Sequence, residues 1–201
     1  VRRATLVIMV KEPRPGRVKT RLGREVGMTR AAWWFRRQTS ALLRRLDDPR
    51  WECVLAVSPD AEGLRSRVWP PRLPRLPQGR GDLGARMARL LRGAPPGPAI
   101  VIGADIPGIE RRHVARAFAA LGRHDGVIGP APDGGYWLVG LRRRAAPPPG
   151  LFRGVEWSSG TALADTVRTM PRDTARIDTL ADVDTLDDLR AAARQGRTDW
   201  A

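Results

Sequence analysis

Five short apolar runs constrain this 201-residue chain more than any other feature: TLVIMV (5–10), CVLAV (53–57), PAIVIG (98–103), GVIGPA (126–131) and YWLVGL (136–141). A run without polar alternation reads as a strand covered on both faces, the kind found in parallel sheets. Helical patterns separate the runs. In 29–46, Trp34, Ala41, Leu42 and Leu46 recur among arginines, with Thr29 as the expected N-cap. GDLGARMARLLRG closes on Gly93, RRHVARAFAAL spans 111–121, and a helix over 161–170 follows SSG. The last helix begins near Asp184 in DVDTLDDLRAAARQ, with acids in its first turn where they suit the macrodipole. Strands alternating with helices predict an α/β fold, a three-layer α/β/α sandwich around a mostly parallel sheet. The Pro/Arg stretch 69–77 is read as extended or irregular, because proline supplies no donor.

One domain over 1–201 is the economical expectation at this length and 42% apolar content. The longest purely apolar run, 6–10, is far too short for a membrane span, and no signal-peptide core follows the N-terminal charges, so the expected location is cytoplasmic. The single cysteine, Cys53, allows no internal disulfide, excludes a structural zinc site and reads as a buried small hydrophobe. A net charge of +15 attracts any polyanion, but the arginines are spread along the chain and no nucleic-acid signature is present. No specific nucleic-acid partner is expected. His113 and His124 lie among arginines without a nucleophile to serve.

Ligands of parallel sheets bind at the carboxyl ends of strands, which singles out particular loops. The first is KEPRPGRVKTRLG (11–23), with Lys11, Arg14, Arg17, Lys19 and Arg21 against Glu12, and Pro13, Pro15 and Gly16 shaping the backbone. It is either a solvated turn or a phosphate cradle, and its place after a strand favours the cradle. Only two of the 36 basic residues are lysines, Lys11 and Lys19, and both lie here. Either a G+C-rich genome has replaced lysine elsewhere, or a compact point charge is needed in this loop. In IGADIP, Asp105 is either the cap of a following helix or a ligand for a hard cation such as Mg²⁺ or Mn²⁺. In GPAPDGGYWLVG the DG pair signals a hairpin, which would present Asp133 at a turn tip with Gly134 and Gly135 allowing close approach of a ligand. QGRGDLGARM places Gln78 and Asp82 before a helix that Asp82 could cap. Trp157 and Ser158 in EWSSG are either core and N-cap or a wall for a sugar or base.

The ordered set KEPRPGRVKTRL, QGRGDLGARM, IGADIP, GPAPDGGYWLVGL, VEWSS and DVDTLDDL resembles the bacterial radical-SAM/selenodomain-associated transferases of the arsenosugar-biosynthesis type, over about residues 5–190. One departure is Ser159, where that family suggests threonine. The resemblance implies the GT-A, nucleotide-diphospho-sugar transferase fold, shared with small nucleotidyltransferases. It implies that Lys11, Gly16, Lys19 and Arg21, with Gln78 and Asp82, surround the nucleotide phosphates. Asp105 would be the metal-binding aspartate, a catalytic role it would share with Asp133. Gly134, Gly135, Tyr136, Trp157 and Ser158 would face the transferred group or acceptor. The expected reaction is metal-dependent sugar transfer from a nucleotide sugar to a small-molecule acceptor. The alternative is nucleotidyl transfer from a nucleoside triphosphate with release of pyrophosphate. Either requires Lys19, Asp105 and Asp133 to converge at one edge of the sheet.

Overall fold

A computed structural model describes residues 3–198. Seven strands form one mixed sheet: β1 (Ala4–Lys11), β2 (Trp51–Ser58), β3 (Arg75–Pro77), β4 (Ala99–Gly103), β5 (Gly126–Pro130), β6 (Tyr136–Leu141) and β7 (Thr174–Arg176). Their spatial order is β3-β2-β1-β4-β6-β5-β7, and only β6 runs antiparallel to its neighbours. The helices are α1 (Thr20–Val26), α2 (Met28–Arg45), α3 (Asp60–Arg65), α4 (Leu83–Gly93), α5 (Arg111–Leu121), α6 (Ala162–Thr169) and α7 (Leu186–Arg194).

The apolar runs are buried on both sides because the pleat sends alternate residues to two cores. Leu6, Ile8 and Val10 of β1 and Ile100 and Ile102 of β4 pack with Leu22 of α1, Trp34 and Leu42 of α2, Val114 of α5 and Leu189 of α7. Val7, Ala99 and Val101 turn the other way, onto Met87 and Leu91 of α4 and Ala162 of α6. Helices thus cover both faces, the three-layer arrangement expected. Each fully buried Leu, Ile or Val contributes about 1.5–3 kcal/mol relative to exposure, and such residues lie on the central strands (Leu6, Ile8, Leu55, Ile100) and on the helices covering them (Leu22, Leu42, Leu91) alike.

Several boundaries depart from the sequence reading. Thr29 is not an N-cap: α2 starts at Met28 behind Gly27, whose φ of 93° suits glycine and lets α1 turn directly into α2. The stretch 69–77, by contrast, is irregular and then extended as expected, ending in β3, where proline is tolerated because the strand is short and lies at the sheet edge. The last helix begins at Leu186, capped by Thr185, so Asp184 precedes it. Asp105 caps no helix, since α5 starts at Arg111 behind Glu110.

Topology positions the site. The chain moves outward through β1, β2 and β3, then returns to lay β4 on the opposite side of β1. Loops leaving β1 and β4 therefore diverge at a topological switch point, which opens a crevice at the carboxyl edge. Among the described residues, no helix is long and apolar enough to cross a membrane.

Candidate active site

A cleft of about 870 Å³ occupies that switch point. Its lining includes Lys11, Lys19 and Arg21 from the loop after β1, Gly103 and Asp105 from the end of β4, and Asp133, Gly135 and Tyr136 from the β5–β6 turn. The expected convergence of Lys19, Asp105 and Asp133 is therefore observed.

The loop after β1 is fastened to α3 and its flanks. Arg14 and Arg17 both pair with Glu62, at 3.0 and 3.1 Å, and Ser66 Oγ donates to Glu12 at 3.0 Å. Gly16 is exposed and does not line the cleft. Lys19 turns inward instead. Its ammonium lies 2.6 Å from Asp105 Oδ2 and 2.7 Å from Asp184 Oδ1, with the side chain 6% exposed. Burial alone would push this ammonium down, but the two carboxylates outweigh it and hold it above the usual lysine range. Asp105, for which burial works in the opposite direction, is held below the usual carboxylate range by Lys19.

The loop carrying Asp105 is braced from behind by Arg45, which donates to the carbonyls of Ile109 (2.6 Å) and Pro107 (2.9 Å). A segment following β7 then laces across the sheet edge. Ile177 and Leu180 donate backbone N–H groups to Ile128 and Pro130, and Val183 donates to Asp105 at 3.2 Å. This crossing delivers Asp182 and Asp184, which sequence reasoning misses as site residues. The signal was the DVDTLDD run, which looks like the acidic first turn of a helix until the crossing is seen. One oxygen from each of Asp105, Asp182 and Asp184 lies within 4.8 Å of the others. Half-buried carboxylates at this spacing fit a hard divalent cation, which takes oxygen ligands. Burial, and then the charge of Asp105, push Asp182 up to about 6.

The opposite wall is built from the hairpin and the 157–160 loop. The DG signal does form a hairpin between β5 and β6, with Asp133 Oδ1 accepting from Gly135 N at 2.9 Å. Gly134 does not line the cleft. Its φ is 84°, and a Cβ there would stand 2.1 Å from the Gly160 carbonyl, so it lets the two loops touch. Ser158 lines the cleft with φ 61°, while α6 takes Thr161 as its N-cap. Trp157 packs on Phe152 and Tyr136 and over Gly84, and Tyr136 Oη accepts from Thr166. Asp82 caps α4 by accepting from Ala85 N at 2.7 Å, yet still faces the cleft. Gln78 is buried, its Nε2 tied to the Val10 and Ala56 carbonyls, so its donor atom serves the strand ends.

Fold and cleft together define a protein of the nucleotide-diphospho-sugar transferase fold. Its similarity to a crystal structure of a provisionally named nucleotide-diphospho-sugar transferase from Desulfovibrio desulfuricans G20 has a TM-score of 0.87, with 29% identity over 98% of this chain and 88% of the other. The chain belongs to the family described as uncharacterized proteins conserved in bacteria (DUF2064), matched over residues 41–159. Two further solved structures share the fold. The manganese complex of Rv0371c from Mycobacterium tuberculosis H37Rv is 17% identical, with a TM-score of 0.51 over 94% of this chain and 97% of the other. A 4-diphosphocytidyl-2C-methyl-D-erythritol synthase from Anaerococcus prevotii DSM 20548 is 11% identical, with a TM-score of 0.60 over 97% and 96%. No curated protein matches the chain.

Proposed function

We propose that this chain is a metal-dependent glycosyltransferase that moves a sugar from a nucleotide-diphospho-sugar to a small acceptor. The distribution of charge around the cleft carries this reading. Three aspartates face one point, while the basic loop has turned Arg14 and Arg17 to Glu62 and Lys19 to Asp105 and Asp184. Lys11 and Arg21 remain on the cleft wall, joined by Arg86 of α4, and Arg21 is itself 3.2 Å from Asp184. A departing pyrophosphate calls for a denser cationic cradle than this. The likeness to the Desulfovibrio transferase supports the same choice.

Mg²⁺ or Mn²⁺ held by Asp105, Asp182 and Asp184 would supply positive charge to a departing diphosphate. Lys11 and Arg21 bind phosphate oxygens from the β1 side. Tyr136 and Trp157 form an aromatic wall that orients the sugar and keeps water away. Asp133 keeps Oδ1 on Gly135 N, which leaves Oδ2 to take the acceptor's proton. As the acceptor oxygen bonds to the anomeric carbon, the bond from that carbon to the diphosphate breaks, and the hydroxyl proton passes to Asp133.

The second reading is nucleotidyl transfer from a nucleoside triphosphate. The position of both lysines on the cleft lining, after β1, favours it. A product assay with Mg²⁺ or Mn²⁺ across nucleotide sugars and nucleoside triphosphates separates the two. Sugar transfer yields nucleoside diphosphate, slowly by hydrolysis and faster with an acceptor. Pyrophosphate from a triphosphate, with no diphosphate from any nucleotide sugar, would replace the first reading by the second.

A further inference from the structure

Lys19 inserts its ammonium into the carboxylate cluster formed by Asp105, Asp182 and Asp184. Its ammonium is within 2.7 Å of one oxygen from each of Asp105 and Asp184, and the contact is shielded from solvent. The two carboxylates themselves are 32% and 39% exposed, so they keep a side open to the cleft, and Asp182 stands beside them. Lys19 is also anchored through its backbone. It sits in the left-handed region, φ 46° and ψ 47°, at the start of α1, and its carbonyl accepts from Gly23 N at 2.8 Å. Val18 before it is buried, and the rest of the loop is pinned by Glu62 and Ser66. Withdrawing the ammonium would mean leaving two buried carboxylate contacts and disturbing the first turn of α1. A non-glycine residue held in this conformation at a cleft is a feature associated with functional sites.

We propose that Lys19 is a built-in second cation that stays on Asp105 and Asp184 when a divalent ion binds, so that the cluster takes one metal ion per chain. This rests on the metal-site reading above and adds its stoichiometry. Lysine suits the role better than arginine, because a compact ammonium with three donors mimics a point charge whereas a planar fork does not. The retention of lysine at this position, in a chain otherwise built with arginine, then has a physical reason.

The chain's own composition supplies the test. With only two lysines, ¹⁵N-lysine labelling gives two ammonium signals, assigned by Lys11→Arg. On titration with Mg²⁺ the Lys19 signal should shift yet remain protected from solvent exchange. A signal that is lost to exchange at saturation, or that is unprotected from the start, overturns the proposal. Calorimetric titration with Mn²⁺ should give one ion per wild-type chain and two for Lys19→Met. Two ions on the wild type, or one on a folded Lys19→Met, would likewise overturn it, and the wild-type measurements stand if that variant does not fold. A wild type that binds neither Mg²⁺ nor Mn²⁺ overturns the metal-site reading as well. Sugar transfer by a two-metal wild type would remove only the inference about Lys19.

Discussion

The backbone N–H of Val183 donates to the carbonyl of Asp105 at 3.2 Å, joining the loop after β4 to a segment from the far end of the chain. That contact brings Asp182 and Asp184, the neighbours of Val183, to Asp105 and assembles the carboxylate cluster from two distant parts of the sequence.

Asp105→Asn should lower metal-dependent turnover by about 100-fold or more, because it removes a charged ligand from the point where leaving-group charge is met. The fold should survive, since Lys19 keeps Asp184 as a partner. Circular dichroism and the melting temperature report the second point and steady-state rates the first. Unchanged turnover would remove Asp105 from the machinery.

Gly134→Ala is expected to destabilise the protein by at least about 2 kcal/mol, combining the left-handed penalty with a clash against backbone. The new Cβ would fall 2.1 Å from the Gly160 carbonyl. The loops bearing Asp133 and Ser158 must then separate, so turnover should fall along with the denaturant midpoint. Retention of both would show that the loops do not need their close approach.

The sequence was informative where one physical rule dominated. The continuous apolar runs 5–10 and 98–103 require strands covered on both faces, and the carboxyl-end rule points to the loops that carry Lys19, Asp105 and Asp133. It was uninformative where tertiary contacts decide. The α1 helix hides in a loop read for its charges, while β3 and β7 are three-residue strands made by their neighbours rather than by propensity. Asp182 and Asp184 matter because of a crossing segment that no local pattern describes. The charge of Lys19 is visible in sequence, whereas its two carboxylate partners, Asp105 and Asp184, are visible only in the fold.

In metal-free protein, Asp182 carries a pH signature. A carboxyl raised from 3.8 to about 6 by burial and by Asp105 binds its proton more tightly when folded. Between those values the folded state holds more protons than the unfolded one, so this group's contribution falls as pH rises from about 3.8 to about 6. His113, whose buried ring is held below its usual value of 6.5, contributes a slope of the opposite sign below that pH. The difference between wild type and Asp182→Asn, read from urea midpoints in chelator, isolates the effect. Parallel curves for the two proteins would contradict it.

Cys53 should be a slow thiol. Burial, with the charge of Asp47, pushes it up to about 11 from a reference of 9.0, and its Sγ donates to the Leu46 carbonyl at 3.5 Å. At pH 8 the thiolate fraction is about 100-fold smaller than in the unfolded chain. The rarer thiolate is intrinsically more nucleophilic, which offsets part of this, so disulfide reagents should label native protein at least about 10-fold more slowly than protein in denaturant. Equal rates would place the thiol in the open.

The most direct test of the account is where a divalent ion binds. Anomalous diffraction from crystals grown with Mn²⁺ and a nucleoside diphosphate should show one peak within coordination distance, about 2.1 Å, of oxygens from Asp105, Asp182 and Asp184. The diphosphate should lie between that peak and Lys11 and Arg21, with the Lys19 ammonium still on Asp105 and Asp184. A peak elsewhere, or none at saturating Mn²⁺ and diphosphate, would contradict the assignment of this cleft as a metal-dependent sugar-transfer site.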